Sequence, residues 1–459
     1  MPQLLVKAGK VVLPTGTVEA DVVVEGEKIR AVASDVPNAN VHREIDAEGC
    51  YVLPGGVDPH VHTNLELGEY TTRDDFVDVT RAAALGGTTT IVDFAIPGHR
   101  DNSPLETFHE RLEEASELVH VDFNLHATLT RVDQGVLKDI PRLFDLGART
   151  FKMFTVYRGL VMVSLDEILA ALEAISEVDG LALIHAESNH LVEAATEHLA
   201  RRGLTSPEFH PESRPATCEV DAVQAVINML RVTGAMGYFV HVSTPEALEV
   251  VLAARHEGVR VRAETCPHYL VLDEGVYTSP KGALYICSPP IRSQERAEEL
   301  WRRLLLGEVS IIGSDHCCYN TEQKFRHTDD FRLMPNGLPG VQTRLPIMFS
   351  EAVIKRGLPI ERFTDLVSTA PAKVNGLYPR KGAIQPGSDA DLIVLDPTTR
   401  SVVDSDVLSM KTDYSPFDGL EIQGGVKHVI ARGDLVVEEG RFVGEDHRGV
   451  FVESQKIVL

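Results

Sequence analysis

Between residues 51 and 316 the chain repeats one theme eight times: a short apolar or β-branched run closing in polar residues, then a stretch with helical periodicity. The runs are 51–57, 88–94, 122–128, 150–154, 181–185, 237–241, 259–264 and 310–315. Between them, 73–85, 105–118, 165–176, 220–231, 245–254 and 294–306 read as amphipathic helices with Gly or Pro near several of their ends. Strands separated by helices return parallel to one another, so eight such units predict an α/β fold, a (β/α)8 TIM-like barrel. A doubly wound open sheet is the competing architecture. Its Gly-rich phosphate-binding turn is missing, because Pro54-Gly55-Gly56 precedes a polar strand end and opens no helix.

The two ends have a different texture. Residues 3–13, 20–33 and 41–53 are short β-like pieces punctuated by Gly, with a hairpin turn at 25–28, and 382–397 and 425–443 repeat that style. Neither end alone has enough strands for a stable core. The economical arrangement is a small β-sandwich built from residues 1–53 and 376–459, with the barrel, 54–375, inserted between them. A length of 459 residues accommodates both parts.

The formal net charge of -24 argues against a sequence-independent grip on nucleic acid or an anionic membrane, both of which want basic patches. A small-molecule substrate fits better. The N-terminus lacks a basic leader with an apolar core and no run approaches membrane-spanning length, which predicts a cytoplasmic protein. The six cysteines form no C-x-x-C pair and are expected to be reduced thiols.

In such barrels chemistry sits at the carboxyl ends of the strands. The polar residues closing the runs are His60 and His62, Lys152, His185, His241 and Asp315. In Asp58-Pro-His60-Val-His62 the two imidazoles are two apart and point to the same side of an extended segment, so both reach one metal ion. Four imidazoles and one carboxylate can hold two divalent ions, but a bare ammonium at Lys152 would repel them. Burial beside metal depresses a lysine pKa, and the neutral amine can add carbon dioxide to become a carbamate, a bridging anion. The expected centre therefore has His60, His62, Asp315 and carbamylated Lys152 around one ion, with the same carbamate, His185 and His241 around the other. Nitrogen and oxygen donors without thiolate suit zinc, with manganese or cobalt as substitutes.

Read together, 55–62, Phe151-Lys152-Met153-Phe154, His185-Ala186-Glu187, His241-Val242-Ser243 and Gly313-Ser314-Asp315-His316 resemble the amidohydrolase superfamily in its cyclic-amidase branch, and the likeness continues to Pro386-Gly387-Ser388-Asp389-Ala390-Asp391. Dihydroorotases carry an arginine after the paired histidines where Thr63-Asn64 stand here, so a carboxylated ring is disfavoured. Allantoinases resemble the chain at 264–269 and 287–292 and supply the alternative activity.

Hydantoinases and dihydropyrimidinases are similar at two further places: Tyr157, five residues after the lysine, and Pro335-Asn336-Gly337. That resemblance implies hydrolysis of the cyclic amide of a hydantoin or dihydropyrimidine to an N-carbamoyl amino acid. It makes Asp315 the proton carrier, Tyr157 the oxyanion donor, and Tyr157, Ser288 and Asn336 the holders of the ring. It also implies a homotetramer, by the likeness of 413–420 to tetrameric relatives, and leaves a non-catalytic assembly protein as a different class. Cys317-Cys318 departs from the Cys-Pro or Ser-Pro of many relatives.

Overall fold

The computed structural model describes residues 3–34, 36, 41–445 and 447–459. Eight parallel strands form the barrel: β1 Gly56–Val61, β2 Thr88–Ala95, β3 Asp122–Thr128, β4 Thr150–Phe154, β5 Leu181–His185, β6 Met236–Phe239, β7 Val261–Thr265 and β8 Ile311–Ile312. They follow one another in sequence order around the sheet. The seam between β8 and β1 closes through a bridge between Val61 and His316, with His62 N donating to His316 O at 2.7 Å. Most of these strands are buried along their whole length, so apolar side chains occupy both faces of a run such as Leu181–His185 and the polar ones in the others are enclosed.

Local chemistry sets the helix starts. Asp75 and Asp78 form a capping box at Phe76–Leu85, as Ser164 and Glu167 do at Leu165–Glu177. Ser103 caps Pro104–Ser116 and Thr244 caps Pro245–His256, each with proline at the first turn, where its missing N–H costs nothing.

Two runs differ from the sequence reading. The run 51–57 splits: Tyr51–Pro54 joins the terminal sheet, antiparallel to Leu392–Val402, and only Gly56–Val61 enters the barrel. The break is at Gly55, where a Cβ would lie 2.0 Å from Thr89 Oγ1, so the chain can cross between layers there only without a side chain. The run 310–315 pairs over Ile311–Ile312 alone. A Cβ on Gly313 would meet the Glu264 carboxyl carbon at 2.8 Å, and Asp315 turns into the left-handed region at φ 49°, so ladder geometry ends early.

Strands from both termini make one nine-stranded sheet, in which Tyr51–Pro54 links the amino-terminal strands Gln3–Leu13, Gly16–Glu25 and Lys28–Ala33 to the carboxy-terminal Leu392–Val402, Glu421–Ala431 and Asp434–Glu438. The turn at 25–28 pairs Glu25 with Lys28. The last residues return to the barrel: Phe123 N donates to Val450 O at 3.0 Å, and Arg149 Nε to Ser454 O at 2.8 Å. Among the described residues no helix is long and apolar enough to cross a membrane.

Lys381 ties sheet to barrel. Its buried ammonium contacts Asp122 at 2.5 Å, Asp391 at 2.7 Å and Asp389 at 3.0 Å. Removing the cation strands buried carboxylates, so Lys381→Met is expected to cost about 3–5 kcal/mol of stability. Urea denaturation checks this, and a loss below about 1 kcal/mol would contradict the role.

Candidate active site

His60 lies one residue before the end of β1 and His62 follows the strand, Lys152 lies in the middle of β4 and not at its end, His185 ends β5, and His241 and Asp315 follow β6 and β8. The barrel brings all six together. Nε2 of His60 is 3.1 Å from Asp315 Oδ1, and Nε2 of His62 is 3.6 Å from the same oxygen. The His241 ring lies 5.3 Å from that of His60 and 4.5 Å from that of His185, centroid to centroid. Lys152 Nζ sits 5.0 Å from the Phe94 ring and 4.8 Å from the Phe154 ring. Those two rings also pack on His62 and His185, so the amine lies between the aromatic supports of both imidazole pairs.

Donor atoms of His60, His241 and Asp315 all lie within 4.8 Å of one another. This group crosses the two ligand sets drawn from the sequence, since it joins His241 to His60 and Asp315. The nitrogens His60 Nε2, His62 Nδ1 and His241 Nδ1 are buried with no hydrogen-bond partner. Unpaired buried lone pairs are costly unless something else occupies them, and a divalent ion does so. Burial lowers the pKa of His62 and His185, and that of His241 well below the ordinary value, which keeps the rings in the neutral, ligating form. Burial alone would raise Asp315, but His60, His62 and His241 hold it well below the usual carboxylate range. Burial also brings Lys152 down to about 8, against the pull of Asp315 and Glu264, so free amine is present as a minority form at neutral pH and grows above it.

The residues behind this cluster orient it. Glu264 Oε1 lies 2.7 Å from His60 Nδ1 and accepts from His241 N at 3.1 Å, while its Oε2 accepts from Tyr238 OH at 2.6 Å. A carboxylate on Nδ1 puts the proton there and leaves Nε2 as the donor lone pair. Glu187 Oε2 does the same for His185, 2.8 Å from Nε2, and accepts from Arg214 Nη1 at 2.6 Å. Burial would raise Glu187, yet Arg214 and His185 hold it at about 2. Behind Asp315, His316 Nε2 meets Asp74 Oδ2 at 2.9 Å and its Nδ1 accepts from Gly340 N and Val341 N. Asp74, His316 and Cys318 also cluster, but these bonds satisfy them internally, and the cluster acts as a lock on the turn that carries Asp315.

A model of the amidohydrolase family matches residues 51–436. The chain belongs to the amidohydrolase family. It is 36% identical over 458 residues to the D-hydantoinase of Geobacillus stearothermophilus, covering 98% of this chain and 96% of that one. It is 35% identical to the D-phenylhydantoinase of Escherichia coli O1:K1 over 99% of both chains. The crystal structure of dihydropyrimidinase from Brevibacillus agri NCHU1002 matches it with a TM-score of 0.97 at 34% identity, over the full length of both chains. These likenesses put this amidohydrolase with the hydantoinases and dihydropyrimidinases and do not favour the allantoinase alternative.

In this amidohydrolase the three residues carried over from the resemblance also meet. Ser288 Oγ donates to Asn336 Oδ1 at 2.8 Å, and Ser288 is a hydrogen-bond partner of Tyr157. Burial raises the Tyr157 hydroxyl above its ordinary pKa, with Arg214 opposing, so it stays protonated and able to donate. Its ring is 5.6 Å from that of His185. Tyr157, His241 and Asp315 all have positive φ, at 74°, 38° and 49°, a conformation that costs about 1–3 kcal/mol each and that surrounding bonds must enforce. Cys317 backs the asparagine loop. A Cβ on Gly337 would lie 2.6 Å from the Cys317 carbonyl oxygen, so the asparagine loop passes that residue closely only as glycine.

Reading strand ends missed Glu264 as a functional residue although it closes the run 259–264. The signal was there: the same rule that selects His185 selects Glu264. Arg214 and Tyr238 had none, because the one lies in an irregular segment and the other inside a strand, and only packing brings each to its carboxylate.

Proposed function

We propose that this chain hydrolyses the cyclic amide bond of a hydantoin or dihydropyrimidine and releases an N-carbamoyl amino acid. The observation that carries the reading is the meeting of four imidazoles, Asp315 and a buried, easily deprotonated lysine around partnerless nitrogens, in a chain that aligns end to end with hydantoinases. His60, His62, Asp315 and carbamylated Lys152 would hold one divalent ion, and the carbamate with His185 and His241 the other, with zinc suiting this nitrogen and oxygen donor set. When bound, such a pair supplies Lewis acidity and lowers the pKa of water toward neutrality.

The chain's own groups do the rest. Ser288 and Asn336 hold the ureide in register with the cluster. Asp315 takes a proton from the attacking water and returns it to the ring nitrogen as the carbon–nitrogen bond breaks. The Tyr157 hydroxyl donates to the carbonyl oxygen as negative charge develops on it. Tyr157→Phe is therefore expected to lower kcat about 10²–10³-fold with metal content intact. Stopped-assay kinetics beside elemental analysis check both, and an unchanged kcat would remove tyrosine from the mechanism.

Assay of the metal-loaded protein on hydantoin, dihydrouracil, allantoin and dihydroorotate tests the activity. Turnover of one of the first two is expected; turnover of allantoin or dihydroorotate alone would refute the reading. About two ions per chain separates this enzyme from a non-catalytic assembly protein, which would bind none. The reading includes a cytoplasmic homotetramer. Six free, buried cysteines suit a reducing compartment, and sedimentation at four times the chain mass tests the assembly.

A further inference from the structure

We infer that Lys324 is a positioning residue for substrate, a buried amine donor that pins together the two loops carrying Ser288 and Asn336. The inference rests on the assignment of those two residues to ureide binding. Lys324 is wholly buried at the end of the short helix Thr321–Lys324. Its Nζ donates to Ile286 O at 2.8 Å and to Pro335 O at 2.9 Å. One acceptor lies two residues before Ser288 and the other immediately before Asn336. The loops are tied to each other as well, by Gly337 N donating to Ile286 O at 3.0 Å and by the bond from Ser288 Oγ to Asn336 Oδ1.

Lys324 faces no carboxylate among the described residues; its surroundings are the Cys287 and Cys317 thiols and the Tyr319 ring, 5.6 Å away. Burying a cation without a counter-ion is expensive, and burial pulls this ammonium down to about 7. An apolar side chain would fill the same space more cheaply, so the two donated hydrogen bonds have a use that packing does not explain. The carbonyl of Pro335 shares its peptide unit with the N–H of Asn336. A hydrogen bond donated to that carbonyl polarises the peptide and strengthens the N–H as a donor. Among the described residues the backbone N–H groups of Ser288 and Asn336 donate to no protein acceptor, so both are available to a ring carbonyl. Lys324 thus acts on substrate through the two loops and not by touching it.

The test uses the full-length, metal-loaded protein with hydantoin and dihydrouracil as probes. Lys324→Met is expected to raise KM about tenfold or more while kcat stays within about threefold and metal content is unchanged. Lys324→Gln, which keeps one donor group, should give a smaller rise. A purely structural role would lower the melting temperature and leave KM alone. An unaltered KM in a folded variant, a collapse of kcat with loss of metal, or failure of both variants to fold would each overturn the inference. Absence of turnover in the unsubstituted protein would instead bring down the functional reading, and this inference with it.

Discussion

Lys152→Ala is expected to abolish turnover, by at least about 10³-fold, in a protein that still folds but binds less than one metal ion per chain. The amine is enclosed by Phe94 and Phe154 and held at about 8, so free amine is available at working pH. In the proposed centre carbon dioxide would add to it with formation of a nitrogen–carbon bond and loss of a proton, turning a cation into an anion. Alanine leaves Asp315 as the sole anion among the proposed ligands to offset two divalent ions, and four neutral imidazoles add none. Elemental analysis and circular dichroism measure the two halves of the expectation. Partial recovery of metal and activity with added acetate or propionate, small enough to occupy the vacated space, would support the carbamate. Full metal content with unaltered kcat in the alanine variant would eliminate it.

The second large effect is at Asp315. Asp315→Asn preserves volume, and asparagine tolerates positive φ as aspartate does, so the turn at φ 49° should survive. What disappears is the anion facing His60 and His62. With no group to carry the proton from water to the leaving nitrogen, kcat should fall about 10²–10⁴-fold. KM should change much less, because the residues proposed to bind the ring are Ser288 and Asn336. A comparable loss in KM with kcat preserved would mean that Asp315 binds substrate and carries no proton.

Much of this was legible before folding because it is periodic or local. Parallel strands buried on both faces favour apolar and β-branched residues, so β2 and β5 stand out as runs, and capping residues such as Asp75 and Ser164 mark where helices begin. Candidate ligands of a barrel are expected where an apolar run turns polar, and His185, the last residue of β5, obeys that rule, whereas Lys152 lies mid-strand with Met153 and Phe154 after it. The split of 51–57 was not legible. It follows from how closely Gly55 approaches Thr89, a contact between segments more than thirty residues apart.

Strand ends and residue types alone thus determined the barrel, the sheet style of the termini and the six side chains that meet at its mouth, since alternation and ligand chemistry are written in the order of residues. Tertiary structure alone decided how those side chains are held. Glu264 on His60, Arg214 on Glu187 and Lys324 on two loop carbonyls are contacts across long stretches of chain, and no spacing rule can encode a distance that only packing creates.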